Sequence, residues 1–104
     1  MIYTTTDTIP GREITEILGV VSGNIVQTKH VGKDILAGFK SIVGGEIHGY
    51  TEMLTEARQK AISRLVQEAR ELNADAVVAM RFSTSSIMQN ASEILVYGTA
   101  VRLG

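Results

Sequence analysis

The stretch "ITEILGVVSGNIVQT", residues 14–28, decides the fold because it is long, apolar and rich in β-branched side chains. Only single glycines interrupt it, so it predicts one long β-strand with a bend or bulge at Gly19 or Gly23. Strict alternation puts a separate apolar set on each face of this strand. The first set is Ile17, Val21 and Ile25, and the second set is Leu18, Val20 and Val26. The strand is therefore expected to be apolar on both faces.

Two helices are predicted after this strand. In "GKDILAGFKSIVGG", residues 32–45, apolar side chains recur at helical spacing, and Gly44-Gly45 is expected to end the helix as a C-terminal cap. That apolar stripe consists of Ile35, Leu36, Phe39, Ile42 and Val43. A longer helix is expected from about Thr51 to Asn73, because Asn tolerates the left-handed conformation that ends many helices. Its expected inner face consists of Leu54, Ala57, Ala61, Leu65, Ala69 and Leu72.

Two more strand-like segments complete the chain. They are "ADAVVAMRFSTSS", residues 74–86, and "SEILVYGTAVRL", residues 92–103, and the segment 88–91 between them suits a hairpin. A length of 104 residues suits one domain that covers residues 1–104. We expect an α+β fold, a two-layer β-α-β-β subunit whose mainly antiparallel three-stranded sheet packs on the long helix.

Apolar residues on the second face of the predicted sheet indicate self-association. One helix covers only one face of a sheet, and large exposed apolar patches usually mark interfaces. In so small a chain, the expected cover is another copy of the same chain. The residues that predict this interface are Leu18, Val20, Val26, Leu95, Tyr97 and Val101.

Composition excludes several classes of partner and site. A net charge of −1 creates no positive field for nucleic acid, so nucleic-acid binding is not expected. With no Cys, the chain has no disulfide, no thiolate metal site and no cysteine nucleophile. No basic segment followed by an apolar run starts the chain, and no stretch approaches the roughly 20 apolar residues that span a bilayer. We expect a cytoplasmic protein with no membrane partner.

The candidate metal and catalytic motifs are incomplete. Glu46-x-His48 supplies two donors, whereas a site made of protein ligands needs about three or four. Glu46 and His48 are therefore interpreted as solvated residues of a loop between the two helices, with a site shared between subunits as the alternative. A metal ion is the one cofactor that this leaves open. No nucleophile elbow or phosphate-loop spacing is present, so we do not expect an enzyme.

The chain resembles the YbjQ family of small bacterial and archaeal proteins. The resemblance is carried by "AGFKSIVGGEIHGYTEML" with the following Ala57-Arg58, by "ADAVV" at residues 74–78, by "GTAV" at residues 98–101 and by "GVVSG" at residues 19–23. It implies a dodecin-like subunit that assembles into a homo-oligomeric ring, expected to be a pentamer. It also implies membership of a family whose function is uncharacterised and which carries a heavy-metal-binding label.

The positions that match the family pattern give the candidate site. We expect ligand binding or a subunit boundary at Gly44, Gly45, Tyr50, Arg58 and Asp75; Glu46 and His48, which depart from the family pattern, are the metal candidates from their spacing alone. The expected function is a non-catalytic homo-oligomeric protein that binds a metal ion or a small ligand. The alternatives are a structural or partner-binding ring without a ligand, and an enzyme of unknown reaction.

Overall fold

A four-stranded sheet with one long helix on one face makes up most of the structure. The computed structural model of the chain describes residues 1–28, 42–43, 46–89 and 91–104, and for residues 42–43 and 46–50 it describes the backbone alone. The elements in chain order are β1 (Ile2–Tyr3), β2 (Ile14–Thr28), β3 (Ile42–Val43), β4 (Glu46–Ile47), α1 (His48–Glu71), β5 (Ala76–Met88) and β6 (Ala91–Leu103). Residues 32–41 of the first predicted helix and its expected cap at Gly44-Gly45 lie outside the described residues.

The sheet has the strand order β1-β5-β6-β2, so the expectation of three strands was wrong by one. The additional strand β1 runs parallel to the start of β5, where Ile2 pairs with Ala76. Two residues are too few for a period-two pattern, and their pairing depends on a partner more than 70 positions away. The predicted hairpin of β5 and β6 is confirmed, because Met88 pairs with Ala91 across the turn. Strand β2 pairs antiparallel with β6 along its whole length.

A β-bulge near Gly19 changes which apolar residues of β2 face the helix. Gly19 has a φ of +137°, which suits glycine, and the pairing with β6 shifts by one residue between Ile17 and Gly19. As a result Leu18 packs against the core on the helix side, while Ile17 lies on the opposite face with 72% of its surface exposed. The predicted bulge is confirmed, but the predicted faces of Ile17 and Leu18 were wrong because strict alternation does not hold across a bulge.

The main core lies between α1 and the sheet. Its fully buried members on the helix are Ala57, Ala61, Leu65 and Ala69, as expected from their spacing. They pack on Val21, Ile25, Val77, Met80, Ile94, Val96 and Ala100 of the sheet. Leu54 is half-buried at the edge of this core, whereas Leu72 is exposed because α1 ends at Glu71. The small side chains on α1 allow the helix to lie close to the strands.

Gly23 marks the closest approach of α1 to the sheet. A Cβ atom placed on Gly23 would overlap the carbonyl oxygen of Ala61 and lie 2.6 Å from the backbone nitrogen of Leu65. Both atoms belong to the helix backbone, which cannot turn aside as a flexible side chain can. Glycine at this position therefore sets the distance between β2 and α1.

A second, smaller core lies on the sheet face opposite α1, which we call the far face. It contains Ala76, Val78 and Val101, and the half-buried Ile9 of the N-terminal segment packs against it with Ile14 and Leu103. Val101 was expected to be available for self-association, but it is 1% exposed because this cluster covers it. Part of the far face is thus covered within the chain itself.

The connections around α1 differ from those predicted. Ile42 and Val43 were assigned to a helix, but they form β3, which pairs with β4. The expected loop before the long helix is wrong as well, because β4 and the first turn of α1 occupy residues 46–50. Local apolar spacing does not distinguish a helix from short paired strands in so short a segment. Asn73 has a φ of +59° and ends the helical segment as predicted.

The part of the far face that the second core does not cover is apolar and largely exposed. We call Ile17, Val20, Val26, Leu95 and Tyr97 the far-face patch; Val20 is 75% exposed and Leu95 is half-buried. The fold is also extended, with a radius of gyration of 16.9 Å, compared with about 13 Å for a compact domain of this length. Its accessible surface of 6766 Å² exceeds the roughly 5,700 Å² expected for a compact monomer of 11.2 kDa.

Candidate functional site

An open groove lies between α1 and the far end of the β5–β6 hairpin, on the helix side of the sheet. Its volume is about 570 Å³. Leu54 and Arg58 of α1 form one wall. The other wall and the floor come from the two strands and consist of Phe82, Thr84, Ser85, Ser86, Ser92 and Ile94. A cavity of this volume is large enough for a small organic molecule.

The groove exists because the helix-facing side of β5 changes its chemistry along the strand. At the start of β5 this side carries Val77 and Met80, which are buried under α1. Beyond them the positions paired with Val96, Ile94 and Ser92 of β6 are Phe82, Thr84 and Ser86, and all three are exposed. Hydroxyl side chains thus occupy positions where the pattern of a packed sheet requires apolar ones. Such exceptions to the core pattern are expected at functional sites.

Among the described residues that line the groove, Arg58 is the one with a charge. Its Nη2 atom donates a hydrogen bond of 3.3 Å to the Thr55 hydroxyl one turn earlier on α1. In the described part of the chain no carboxylate lines the groove beside it. The guanidinium therefore carries an uncompensated positive charge over a surface with three helix-side hydroxyl groups, those of Thr84, Ser86 and Ser92, an arrangement suited to an anion.

Asp75 lies at the other end of β5. Its Oδ2 atom accepts a hydrogen bond of 2.8 Å from the Leu103 backbone nitrogen, and its own backbone nitrogen donates to Val101 O at 2.9 Å. Thr84 of the groove lies nine residues further along, or roughly 30 Å at the rise of a strand. The structure therefore does not bring Asp75 to Arg58 within one chain, and it gives Asp75 a role in joining β5 to β6.

The other predicted site residues lie at or beyond the limits of the described side chains. Gly44 and Gly45 are outside the described residues. Glu46 belongs to β4, His48 is the first residue of α1, and Tyr50 lies in its first turn. Their backbone positions place them at the start of the helix that carries Leu54 and Arg58. Their roles in ligand binding stay predictions.

The described residues do not fit a metal centre within one chain. No three side chains of His, Asp or Glu come together among them, and the sequence contains no Cys. The charged member of the groove is a cation, which repels a metal ion. We therefore derive no metal chemistry from this groove.

Sequence reasoning found Arg58 but missed its neighbours. The signal that could have identified the hydroxyl residues of β5 is the run Ser83-Thr84-Ser85-Ser86, because four consecutive hydroxyl residues place hydroxyls on both faces of a strand. The run was assigned to a strand, which is correct, but its contrast with the apolar start of β5 was not used. Phe82 gave no separate signal, since an aromatic residue in a strand is ordinary.

No helix in the described part of the chain is long and apolar enough to cross a bilayer.

Comparison with known proteins places the chain in a family. The family model YbjQ_1, described as "Putative heavy-metal-binding", matches residues 1–104. A UPF0145 protein of Psychromonas ingrahamii is 70% identical over 103 residues, which cover 99% of this chain and 98% of that protein. A UPF0145 protein of Archaeoglobus fulgidus is 64% identical over 103 residues, with 99% and 95% covered.

A solved structure supports the fold independently of sequence. It is the crystal structure of a protein of unknown function of the DUF74 family from Pediococcus pentosaceus, with a TM-score of 0.71 and 17% identity. The alignment covers 100% of this chain and 98% of that one. Given the match of the family model over the whole chain and relatives at 64–70% identity, the chain belongs to the YbjQ family.

Proposed function

We propose that the protein is a non-catalytic homo-oligomer that binds a small ligand in the groove beside Arg58, at or near a boundary between subunits. The observation that carries the proposal is the groove itself, in which one cation and three hydroxyls replace the apolar packing found elsewhere between α1 and the sheet. The family resemblance suggests a pentameric, dodecin-like ring as the assembly, and the sequence pattern suggests the cytoplasm as its location.

Self-association is supported by surface that the single chain leaves exposed. The far-face patch is apolar, and the accessible surface exceeds that of a compact monomer by about 1,000 Å². That excess is comparable to the roughly 800 Å² that each partner buries in a standard protein interface. In addition, the described residues provide no strand beside the outer edge of β2, and none beside β5 beyond Met80.

The position of the groove supports binding near a boundary. Ser85 and Ser86 belong to the groove lining and also to the part of β5 whose outer edge has no described strand beside it. A neighbouring subunit that paired with this edge would approach the open side of the groove. The same neighbour would supply a further wall, as open grooves require if they are to bury most of a ligand.

Heavy-metal binding, which the family description suggests, is the second candidate. It would need donors beyond the described side chains of one chain, for instance Glu46 and His48 from several subunits brought together. The lack of Cys favours harder or borderline ions over soft ones in such a site.

Native mass spectrometry of the untagged protein, with elemental analysis of the same sample, tests the proposal. We expect an oligomer whose mass exceeds a multiple of 11.2 kDa by a stoichiometric organic ligand. A stoichiometric metal in the same oligomer would support the second candidate instead. An apo oligomer would favour a structural or partner-binding ring, and a stable monomer would contradict self-association.

A further inference from the structure

We infer that the groove selects a small amphipathic organic anion, whose charged group pairs with Arg58 and whose apolar body lies on Leu54, Phe82 and Ile94. This inference rests on the proposed function and gives the ligand a chemical class. The chemical class follows from where the charged, hydroxyl and apolar side chains lie in the groove.

The charged end of the site is on α1. Arg58 is exposed, and the only hydrogen bond the described residues give it uses a single Nη2 proton, so most of its donors remain available. A guanidinium presents paired donors that match a carboxylate, phosphate or sulfonate group. The ligand is therefore expected to carry its negative charge at the helix wall.

The hydroxyl groups lie on the sheet side. Thr84 and Ser86 are two positions apart on β5, and Ser92 pairs with Ser86 from β6. Each hydroxyl can donate one hydrogen bond and accept two, so this row suits an anionic oxygen or a polar substituent next to it. Three hydroxyls, with no carboxylate facing them among the described residues, favour an acceptor-rich ligand over a cation.

The apolar part of the groove limits how polar the ligand can be. Phe82 is 41% exposed, Leu54 is half-buried, and Ile94 is buried beneath them. A phosphate or sulfate ion would leave these side chains in water, whereas a ring or short hydrocarbon body would cover them and gain free energy from the apolar surface removed from water. Charge and apolar surface together identify an amphipathic ligand.

Matched probes test the inference with the full chain. 1-Naphthoate, 1-naphthyl phosphate and the neutral 1-naphthamide share one apolar body and differ in the polar group. Binding is measured by calorimetry and located by amide chemical-shift changes in ¹⁵N-labelled protein. We expect at least one anion to bind about tenfold more tightly than the amide, with shifts centred on Phe82, Thr84 and Ser92. The two anions separate a carboxylate ligand from a phosphate ligand.

Two charge-removing variants on the same helix complete the experiment. Arg58→Gln keeps much of the side chain but loses the charge, so the anion and the amide should bind equally. Lys60→Gln removes one charge from an exposed residue outside the groove, so the preference should remain.

Three results would overturn the inference: no preference for either anion, a preference that survives Arg58→Gln, or shifts centred on the far-face patch. Failure to bind any probe at millimolar concentration would overturn it as well. None of these results requires the proposed function to fail, since that is decided by the native mass and by the co-purified ligand. If native mass spectrometry finds a neutral ligand or a metal and the probes show no preference for an anion, the protein would still be a binding protein, but the groove would not be specific for anions.

Discussion

Gly23 controls the distance between β2 and α1, because a Cβ there would collide with the backbone at Ala61 and Leu65. Replacing Gly23 with Ala should therefore push the helix from the sheet and lower the free energy of unfolding by about 3 kcal/mol. Urea denaturation at fixed protein concentration measures this loss. Ser22→Ala is the matched control, since Ser22 points to the far face opposite Tyr97 and should change stability much less. Equal effects of the two substitutions would contradict the role of Gly23.

Asp75 holds the start of β5 to the end of β6 through its hydrogen bond with the Leu103 backbone nitrogen. Asp75→Ala should cost about 1 kcal/mol of stability, because that bond is lost from an exposed site. Asp75→Asn keeps an oxygen acceptor and should cost less. Denaturation midpoints of the two variants provide the comparison, and an Asn variant as unstable as the Ala variant would argue against this hydrogen bond.

At the scale of the element, the pairing of β5 with β6 shifts register between Val78 and Arg81, and Ala79 within this irregularity has an unfavourable backbone conformation. Ala79 has a φ of +53°, and its backbone nitrogen donates to Thr6 O at 2.8 Å, while Met80 N donates to Thr4 O. Because glycine adopts this conformation without strain, Ala79→Gly should raise the free energy of unfolding by roughly 0.5–1 kcal/mol. Thermal and urea denaturation measure the gain.

The control for this prediction is another alanine with an ordinary backbone conformation. Ala74 is half-buried and has no positive φ, so Ala74→Gly should lower stability. A loss of stability in both variants would mean that the conformation of Ala79 carries no strain.

The sequence predicted those elements whose signals are local. The bounds of β2, the hairpin of β5 and β6 and the stop at Asn73 follow from β-branched runs, turn spacing and a left-handed residue. The strand β1 and the pair of β3 and β4 could not be predicted, because their pairing depends on tertiary contacts. The faces of Ile17 and Leu18 required the position of a bulge, which the sequence located only to one of two glycines.

Of the described residues that line the groove, the sequence predicted Arg58 but not the arrangement of side chains around it. Arg58 was identified by family resemblance, but its neighbours Thr84, Ser86 and Ser92 come from strands far away in sequence. Only the register of β5 on β6 brings these hydroxyls to the helix side at the same level. The register of β5 on β6 depends on bulges near Met80 and Met88, and no single residue type in the sequence predicts their positions.

For the molecule as a whole, the far-face patch predicts assembly that depends on apolar contact. Val20→Arg places a charge at its most exposed member and should lower the solution mass toward 11.2 kDa. Light scattering during size-exclusion chromatography measures that mass. Gln67→Arg adds the same charge on the exposed side of α1 and should leave the mass unchanged. Unchanged assembly of Val20→Arg would show that the patch lies outside the interface.

Among the described residues, the sheet has two open borders that are unlike, because one is formed by β2 and the other by β1 and by β5 beyond Met80. Copies that join border to border would therefore add in a single direction, and only a favourable rotation per step would close them into a ring. A subunit blocked at one border would still be accepted through the other. Mixed with normal subunits, it would act as a chain terminator, so a mutation in one gene copy could disable assemblies composed mostly of normal protein.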